Sequence, residues 1–118
     1  MLLASRDIVG GINWVQTVKD DETVAKLVEK GKSKFAGTEI KGKTLGIIGL
    51  GAIGGPLGNA ALGLGMKVIG FDPFLSDAAK AALDPAIEIV GSRDEIYKNS
   101  DFISVHTPLI DVYHRLLL

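Results

Sequence analysis

Eight of the 15 glycines in this chain fall within one window, Leu45 to Met66, that contains no charged residue. A run of this length could span a bilayer, for which roughly 20 apolar residues suffice, and Gly51 and Gly55 have the small-residue spacing of transmembrane dimers. The order of the residues favours another interpretation, because a β-prone run over 44–48 leads directly into a glycine pattern. The clustered glycines and Pro56 would disfavour a membrane-spanning helix. The window therefore predicts a strand, a glycine turn and the start of a helix.

The glycine pattern is G-x-G-x-x-G, from Gly49 to Gly54, which between a strand and a helix is typical of dinucleotide-binding loops. In such loops the first glycine, here Gly49, permits a tight turn, and the second, Gly51, lets the backbone approach a pyrophosphate. The third, Gly54, lets helix and strand pack closely, and the free N–H groups of the helix N-terminus attract the anion. The alternative is that these glycines serve only helix–strand packing.

An acidic residue, Asp72, ends the next predicted strand and lies 23 residues after Gly49. This is close to the spacing of about 20 residues expected for a carboxylate that binds the adenosine ribose. Its charge would repel the 2′-phosphate of NADP, and residues 73–75 contain no arginine to bind one. The pattern therefore predicts NAD as the cofactor. The alternative is that Asp72, which precedes Pro73, is a turn residue, because aspartate is common in turns.

From Thr44 onward, short apolar runs alternate with helix-forming segments. This alternation predicts right-handed βαβ units and a parallel sheet covered on both faces. The predicted fold class is α/β, a Rossmann-type parallel sheet in strand order 3-2-1-4 with helices on both faces, and a ligand is expected in the crevice between strands 1 and 4. The predicted strands are 44–49, 67–71, 87–90 and 102–106; the predicted helices run over 53–64, from a cap at Ser76 to Leu83, and from a cap at Ser92 to Asn99.

Pro56 is an irregularity in the helix that follows the glycine turn. If this helix began near Ala52, the proline would remove an early N–H bond and crowd the preceding turn. We therefore expect the helix to start late or to be locally distorted.

A helical segment precedes the predicted sheet. Residues 2–18 predict a helix with a kink or break at Gly10–Gly11, because glycine within a helix costs about 1 kcal/mol relative to alanine. A second helix, capped by Asp20 or Asp21, follows and ends at Gly31. The expected organisation is a single, partial NAD-binding domain over 1–118, with a helical arm over 1–36 and a Rossmann core over 44–108.

Composition and charge exclude several classes of site. The chain has no cysteine, which excludes disulfides and thiolate metal sites, and no metal site is predicted. A net charge of −1 gives no electrostatic footprint for nucleic acid. No signal peptide is evident at the start, so a cytoplasmic location without membrane contact is expected.

Three blocks of the sequence resemble, in order and in spacing, those of the D-isomer-specific 2-hydroxyacid dehydrogenases: Lys41–Gly54, Leu64–Pro73 and Asp101–Leu109. The resemblance implies a domain that binds NAD and that, in the complete enzyme, serves hydride transfer between NAD and a 2-hydroxy acid. It also implies that the backbone of Ala52 and Ile53 meets the cofactor pyrophosphate. Many relatives have an arginine where Ala52 stands, so one side-chain contact is absent here.

The resemblance carries two further expectations. Thr107, after the fourth predicted strand, matches a residue that lines the cofactor cleft, just as Asp72 matches the ribose-binding acid. The segment 2–36 resembles the helical arm with which family members embrace a second subunit, which suggests a homodimer.

No residue of this chain is assigned to catalysis. In the family an arginine, an acidic residue and a histidine act on the substrate, and all three come later than the block that ends at Leu109. The sequence ends ten residues after Pro108, and neither His106 nor His114 matches that histidine. The chain alone is therefore expected to be catalytically incomplete. The alternative function is that of a dimerisation or structural module that has lost its cofactor.

Overall fold

The computed structural model describes residues 1–108; the tail from Leu109 onward, with His114, lies outside the described residues. By its internal contacts the chain divides into two compact units, one from Met1 to Ile40 and one that begins at Lys41. The described part of the first unit is helical, and that of the second contains a sheet.

The first unit contains three helices followed by a short 3₁₀ turn. The break expected at Gly10–Gly11 is wrong: the chain is interrupted at Arg6, whose backbone is extended (φ −141°, ψ 139°). The helix runs through both glycines because Asp7 caps it, its Oδ1 accepting a hydrogen bond from the N–H of Gly10 at 3.0 Å. The elements are α1 (Leu2–Ser5), α2 (Ile8–Val18), α3 (Val24–Gly31) and the 3₁₀ turn Lys32–Phe35.

Asp21 organises the turn before α3, close to its predicted role as a cap. Its Oδ1 accepts hydrogen bonds from the N–H and from the hydroxyl of Thr23, both at 2.7 Å. These bonds stabilise the carboxylate, the side-chain bond most strongly, and lower the pKa of Asp21 from its ordinary value. The helix N-cap position itself is occupied by Thr23.

Trp14 of α2 packs against α3 and the 3₁₀ turn. Its ring lies 5.4 Å from that of Phe35, centroid to centroid, with the planes inclined by 37°. Gly31, at the end of α3, is buried against the same indole, and a Cβ at this position would collide with it. The glycine predicted as the end of the helix therefore also allows α2 and α3 to approach closely.

In the second unit the predicted parallel sheet is confirmed. Its strands lie in the order β3-β2-β1-β4 and every pairing is parallel, which is the Rossmann-type order expected from the sequence. The elements are β1 (Thr44–Ile48), α4 (Gly54–Gly63), β2 (Lys67–Phe71), α5 (Asp77–Ala81), β3 (Glu88–Ile89), α6 (Arg93–Asn99) and β4 (Phe102–Val105).

The core of this unit forms around β1, which lies between β2 and β4. Ile47 and Ile48 are completely buried, although they point to opposite faces of the sheet. On one face Ile48 joins a buried cluster with Ile69, Val90 and Ile96, the last from α6. Burial on both faces explains why β1 is a continuous apolar run, as parallel sheets require.

Both helix caps predicted in this unit are confirmed. The hydroxyl of Ser76 accepts a hydrogen bond from the N–H of Ala79 at 3.1 Å, and that of Ser92 accepts one from the N–H of Glu95 at 3.4 Å. The helix after Ser76 is shorter than predicted, because Asn59 of α4 bonds to the carbonyl of Ala82 and to the N–H of Asp84. These side-chain bonds end the helix before Leu83.

The uncharged, glycine-rich window forms β1, a turn, α4 and the approach to β2. Over residues 1–108, no helix combines the length and the apolar character that crossing a bilayer requires. The transmembrane interpretation of this window is thereby replaced by the strand–turn–helix one.

Candidate cofactor-binding site

The turn between β1 and α4 needs a glycine at its first position. Gly49 has φ +95°, a conformation that side chains with a Cβ rarely adopt. A Cβ at this position would also press on the backbone carbonyl of His106 and on the methyl group of Thr107. The N–H of Gly49 donates to the carbonyl of Phe71 at 2.9 Å, which ties the turn to the end of β2.

Gly51 and Gly54 meet different constraints. A Cβ at Gly54 would collide with the carbonyl oxygen of Gly49, so the close approach of helix and turn requires glycine there. A Cβ at Gly51 would meet no described protein atom within 4 Å, and Gly51 has no positive φ. Residues 1–108 thus explain two of the three glycines by their own packing. The backbone at Gly51, by contrast, is exposed and has open space beside it.

The segment that leads from the turn into α4 contributes backbone N–H groups to the candidate site. The helix begins at Gly54, so Pro56 is its third residue, where an N–H has no acceptor within a helix. This late start, expected from the proline, is confirmed. No hydrogen bond within residues 1–108 uses the N–H groups of Ala52, Ile53 or Gly54. Such groups at a helix N-terminus form a site for an anion.

Asp72 holds the other side of the turn. It follows β2 directly and is half-buried. Its Oδ2 accepts a hydrogen bond from the N–H of Leu50, inside the glycine loop, at 2.9 Å. Its Oδ1 accepts one from the N–H of Phe74, also at 2.9 Å. One carboxylate therefore fixes both the loop and its own turn, and each oxygen keeps a lone pair for a ligand.

The ends of the strands surround a cleft of about 330 Å³, which we call the strand-end cleft. Four residues singled out in the sequence meet here, although they come from three separate segments. Sequence reasoning assigned no role to Phe74, whose only signal is an aromatic ring two residues after the acid. Ala52, Ile53 and Gly54 lie at the adjoining helix start and do not line this cleft. The lining residues are Gly49, Gly51, Asp72, Phe74, His106, Thr107 and Pro108.

The wall after β4 carries two polar side chains. The hydroxyl of Thr107 is buried without a hydrogen-bond partner in the described part of the chain, an arrangement that usually signals a missing ligand or water. The Nε2 atom of His106 lies 2.7 Å from the hydroxyl of Ser104, within hydrogen-bonding distance. The N–H of His106 donates to the carbonyl of Ile48 at 2.8 Å and so continues the pairing of β4 with β1.

The site contains donors for an anion and an acceptor for hydroxyl groups, but no cluster of metal ligands. Within the described part of the chain, no group of three His, Cys, Asp or Glu side chains is placed to hold a metal ion. The loop amides suit a phosphate, Asp72 suits a sugar diol, and the space over Gly51 admits a close backbone contact. These features match the parts of a dinucleotide.

Known proteins that resemble this chain are dehydrogenases and reductases, in agreement with a dinucleotide-binding site. The family model described as "D-isomer specific 2-hydroxyacid dehydrogenase, NAD binding domain" matches residues 1–117. D-3-phosphoglycerate dehydrogenase of Pongo abelii is 46% identical over 79 residues, which are 67% of this chain and 14% of that protein. Hydroxypyruvate reductase of Thermotoga maritima is 45% identical over 86 residues, 73% of this chain and 26% of that protein.

Solved structures agree in fold. The apo form of D-mandelate dehydrogenase from Rhodotorula graminis superposes with a TM-score of 0.69 at 32% identity, over 99% of this chain and 33% of that one. The chain thus spans 14% to 26% of these two curated relatives and a third of this structure. The sequence motifs also predict a particular likeness to 3-phosphoglycerate dehydrogenase, which several of the curated relatives confirm. These three relatives are nevertheless named after three different substrates, so the part of them that this chain matches does not define a substrate.

Proposed function

The chain belongs to the D-isomer specific 2-hydroxyacid dehydrogenase family, whose NAD binding domain it matches over residues 1–117, and we propose that its strand-end cleft holds NAD. NAD supplies the hydride-transfer chemistry when bound, and the residues of this chain bind and orient it. Hydride transfer between NAD and a 2-hydroxy acid, such as 3-phosphoglycerate, is proposed for the complete enzyme, in a cytoplasmic setting. The observation that carries the proposal is that the open backbone at Gly51 and the carboxylate of Asp72 line one cleft, next to the start of α4.

In this proposal the glycine loop takes the pyrophosphate. The N–H groups of Ala52, Ile53 and Gly54 lack acceptors within residues 1–108 and donate to the phosphate oxygens. Gly51 provides the opening for that contact, and Gly49 provides the turn. With alanine at position 52, the phosphates receive no arginine side chain, so the backbone carries the contact alone.

The adenosine half of the cofactor is assigned to the two walls of the strand-end cleft. Asp72 accepts hydrogen bonds from the ribose hydroxyls, and its charge disfavours the 2′-phosphate of NADP. Thr107 lines the opposite wall, where its side chain is proposed to contact the cofactor. The expected preference is therefore NAD over NADP.

Gly51→Ala tests the pyrophosphate contact without disturbing the protein. The new methyl group meets no described atom within 4 Å, so we expect the midpoint of urea unfolding to stay within experimental error. NAD affinity should fall by about tenfold, since the methyl group holds the phosphates off the backbone. Calorimetric titration with NAD measures the change.

The control for this test is Gly63→Ala, at the far end of α4, where a Cβ also meets nothing. This variant should bind NAD like the unchanged chain. If Gly51→Ala binds NAD equally well, the phosphate does not lie on the loop. If the unchanged chain gives no binding signal with millimolar NAD, the alternative function without a cofactor is favoured.

The arm supports a proposed homodimer. Helix α2 has no buried residue, and the apolar side chains of Leu3, Val9 and Ile12 are 57% to 65% exposed. A groove of about 490 Å³ beside them is lined mainly by apolar side chains, including Phe35. Monomers seldom leave such a surface uncovered. The same surface is the observation that supports the alternative function, a dimerisation module.

Ile12→Asp tests this surface. A charge in the middle of the apolar face should convert a dimer of the 12.4 kDa chain into a monomer, because an unpaired charge is costly to bury. Light scattering after size exclusion gives the mass. Asn13→Asp, which adds a charge at the neighbouring exposed position, should leave the dimer intact. A monomeric unchanged chain would contradict the proposed arm interface.

A further inference from the structure

The sheet-containing unit has a second cavity, which lies between α4 and residues 79–83 and which we call the interhelix cavity. Its volume is about 210 Å³. The lining residues come from the glycine loop, from the first two turns of α4 and from α5 with the residues that follow it. Among them, only Gly51 also lines the strand-end cleft. The two cavities are therefore separate sites that share one residue of the loop.

The interhelix cavity is open because several residues around it are small. Gly55 is buried on α4, and the facing wall presents Ala79 and Ala82. Leu83 packs close to α4 at Gly55, since a Cβ there would lie 3.3 Å from the Cδ2 atom of Leu83. Longer side chains at the two alanines would fill the space that their methyl groups leave open.

Asn59 of α4 holds the two walls at a fixed spacing. Its Nδ2 atom donates a hydrogen bond to the carbonyl of Ala82 at 3.1 Å, and its Oδ1 atom accepts one from the N–H of Asp84 at 2.9 Å. These bonds tie the segment after α5 to α4, so the cavity is formed before a ligand arrives. A preformed pocket favours binding, because no loop has to be ordered when the ligand enters.

The lining favours an uncharged, apolar ligand. It contains no charged residue, and Asn59, its one polar side chain, already bonds to the backbone through both amide atoms. A charged ligand would give up water without gaining a partner, which is costly. An engineered apolar cavity of about 150 Å³ binds benzene, so a volume of about 210 Å³ suits a single ring or two fused rings.

We propose that the interhelix cavity is a binding site for a small, uncharged aromatic compound. The ligand lies between α4 and α5 and contacts the apolar side chains of Leu50, Pro56 and Leu83. Removal of apolar surface from water, on the ligand and on these side chains, drives the binding. The site is distinct from the one proposed for NAD, so the inference does not rest on cofactor binding.

Indole is the probe for this site, and two-dimensional amide NMR of the 118-residue chain follows its binding. Indole should shift the backbone amide signals of Gly55, Ala79 and Leu83, with a dissociation constant of about 1 mM or less, as expected for a ligand of this size. Ala79→Leu places a larger side chain in the cavity and should weaken indole binding by about tenfold or more. Ala82→Leu, a second filling variant, should do the same.

Ala78→Leu is the matched control, since Ala78 is the exposed neighbour of Ala79 on α5 and does not line the interhelix cavity. It should bind indole like the unchanged chain, and circular dichroism should show that all variants remain folded. Equal indole binding by Ala79→Leu and Ala78→Leu would overturn the proposal, as would shifts confined to the strand-end cleft or to the apolar groove of the arm. If Ala79→Leu instead converts a dimer into a monomer and indole shifts no signal, the cavity holds a side chain of a second copy and the proposal is wrong.

Discussion

Asp72→Ala is expected to weaken NAD binding by about 100-fold or more, because a hydrogen bond to a charged group contributes about 1.5–3 kcal/mol and two ribose hydroxyls are proposed to donate to this carboxylate. The variant also loses the acceptor for the N–H groups of Leu50 and Phe74, so the glycine loop is less well held before the ligand arrives. Affinity for NADP should fall much less, since the repulsion of its 2′-phosphate is removed together with the hydrogen bonds. Calorimetric titration with both cofactors measures these changes.

The matched control is Asp101→Ala. The carboxylate of Asp101 also accepts a backbone hydrogen bond, from the N–H of Thr44 at 2.8 Å, but Asp101 precedes β4 and so lies at the opposite end of the sheet. Its removal should cost stability without changing NAD affinity. Equal loss of NAD affinity in both variants would show that Asp72 acts through the fold alone, and the ribose assignment would then be wrong.

Gly54→Ala should lower the free energy of unfolding by about 2–3 kcal/mol, the upper part of the range for overpacking a well-packed site. The added Cβ collides with the carbonyl oxygen of Gly49, and this neighbour is backbone, which cannot rotate away. Relief requires the start of α4 to move off β1, where Ile47 is completely buried. Urea unfolding followed by circular dichroism measures the loss.

Gly63→Ala separates this collision from helix propensity. Gly63 is the last residue of the same helix, is exposed, and a Cβ there meets no described atom within 4 Å. Its replacement should therefore raise stability by up to about 1 kcal/mol, the difference in helix propensity between glycine and alanine. Two changes of the same sign and size would refute the assigned packing role of Gly54.

The strands could be predicted because a strand that is buried on both faces of a sheet appears in the sequence as a continuous apolar run. The second strand, predicted over 67–71, agrees in its bounds with β2 (Lys67–Phe71). The third, predicted over 87–90, is shortened to Glu88–Ile89, since at this edge of the described sheet it pairs with β2 alone. Sequence propensity predicts where a strand lies, whereas the ends of the strand depend on hydrogen bonds to its neighbouring strands.

The helical arm shows the limit of propensity arguments most clearly. Gly10 and Gly11 predict an interruption, yet α2 continues through them and the chain is interrupted at Arg6 instead. The capping bond from Gly10 to Asp7 stabilises the first turn of the helix. A local side-chain bond thus offsets the small intrinsic cost of glycine, and composition alone does not reveal which of the two prevails.

The order of the elements, the parallel sheet and the loop with its acid could be predicted from the sequence, because each depends on local pattern: apolar runs, a glycine motif and its spacing to Asp72. The purpose of each glycine depends on three-dimensional packing, because the atoms around a missing Cβ can come from distant segments. His106 and Thr107 lie beside Gly49, whereas no described atom lies beside Gly51. The same packing brings Phe74 into the lining of the strand-end cleft together with Thr107 and Pro108. The pattern of the uncharged window therefore predicts a loop, and the packing of distant residues around this loop leaves its backbone open at Gly51.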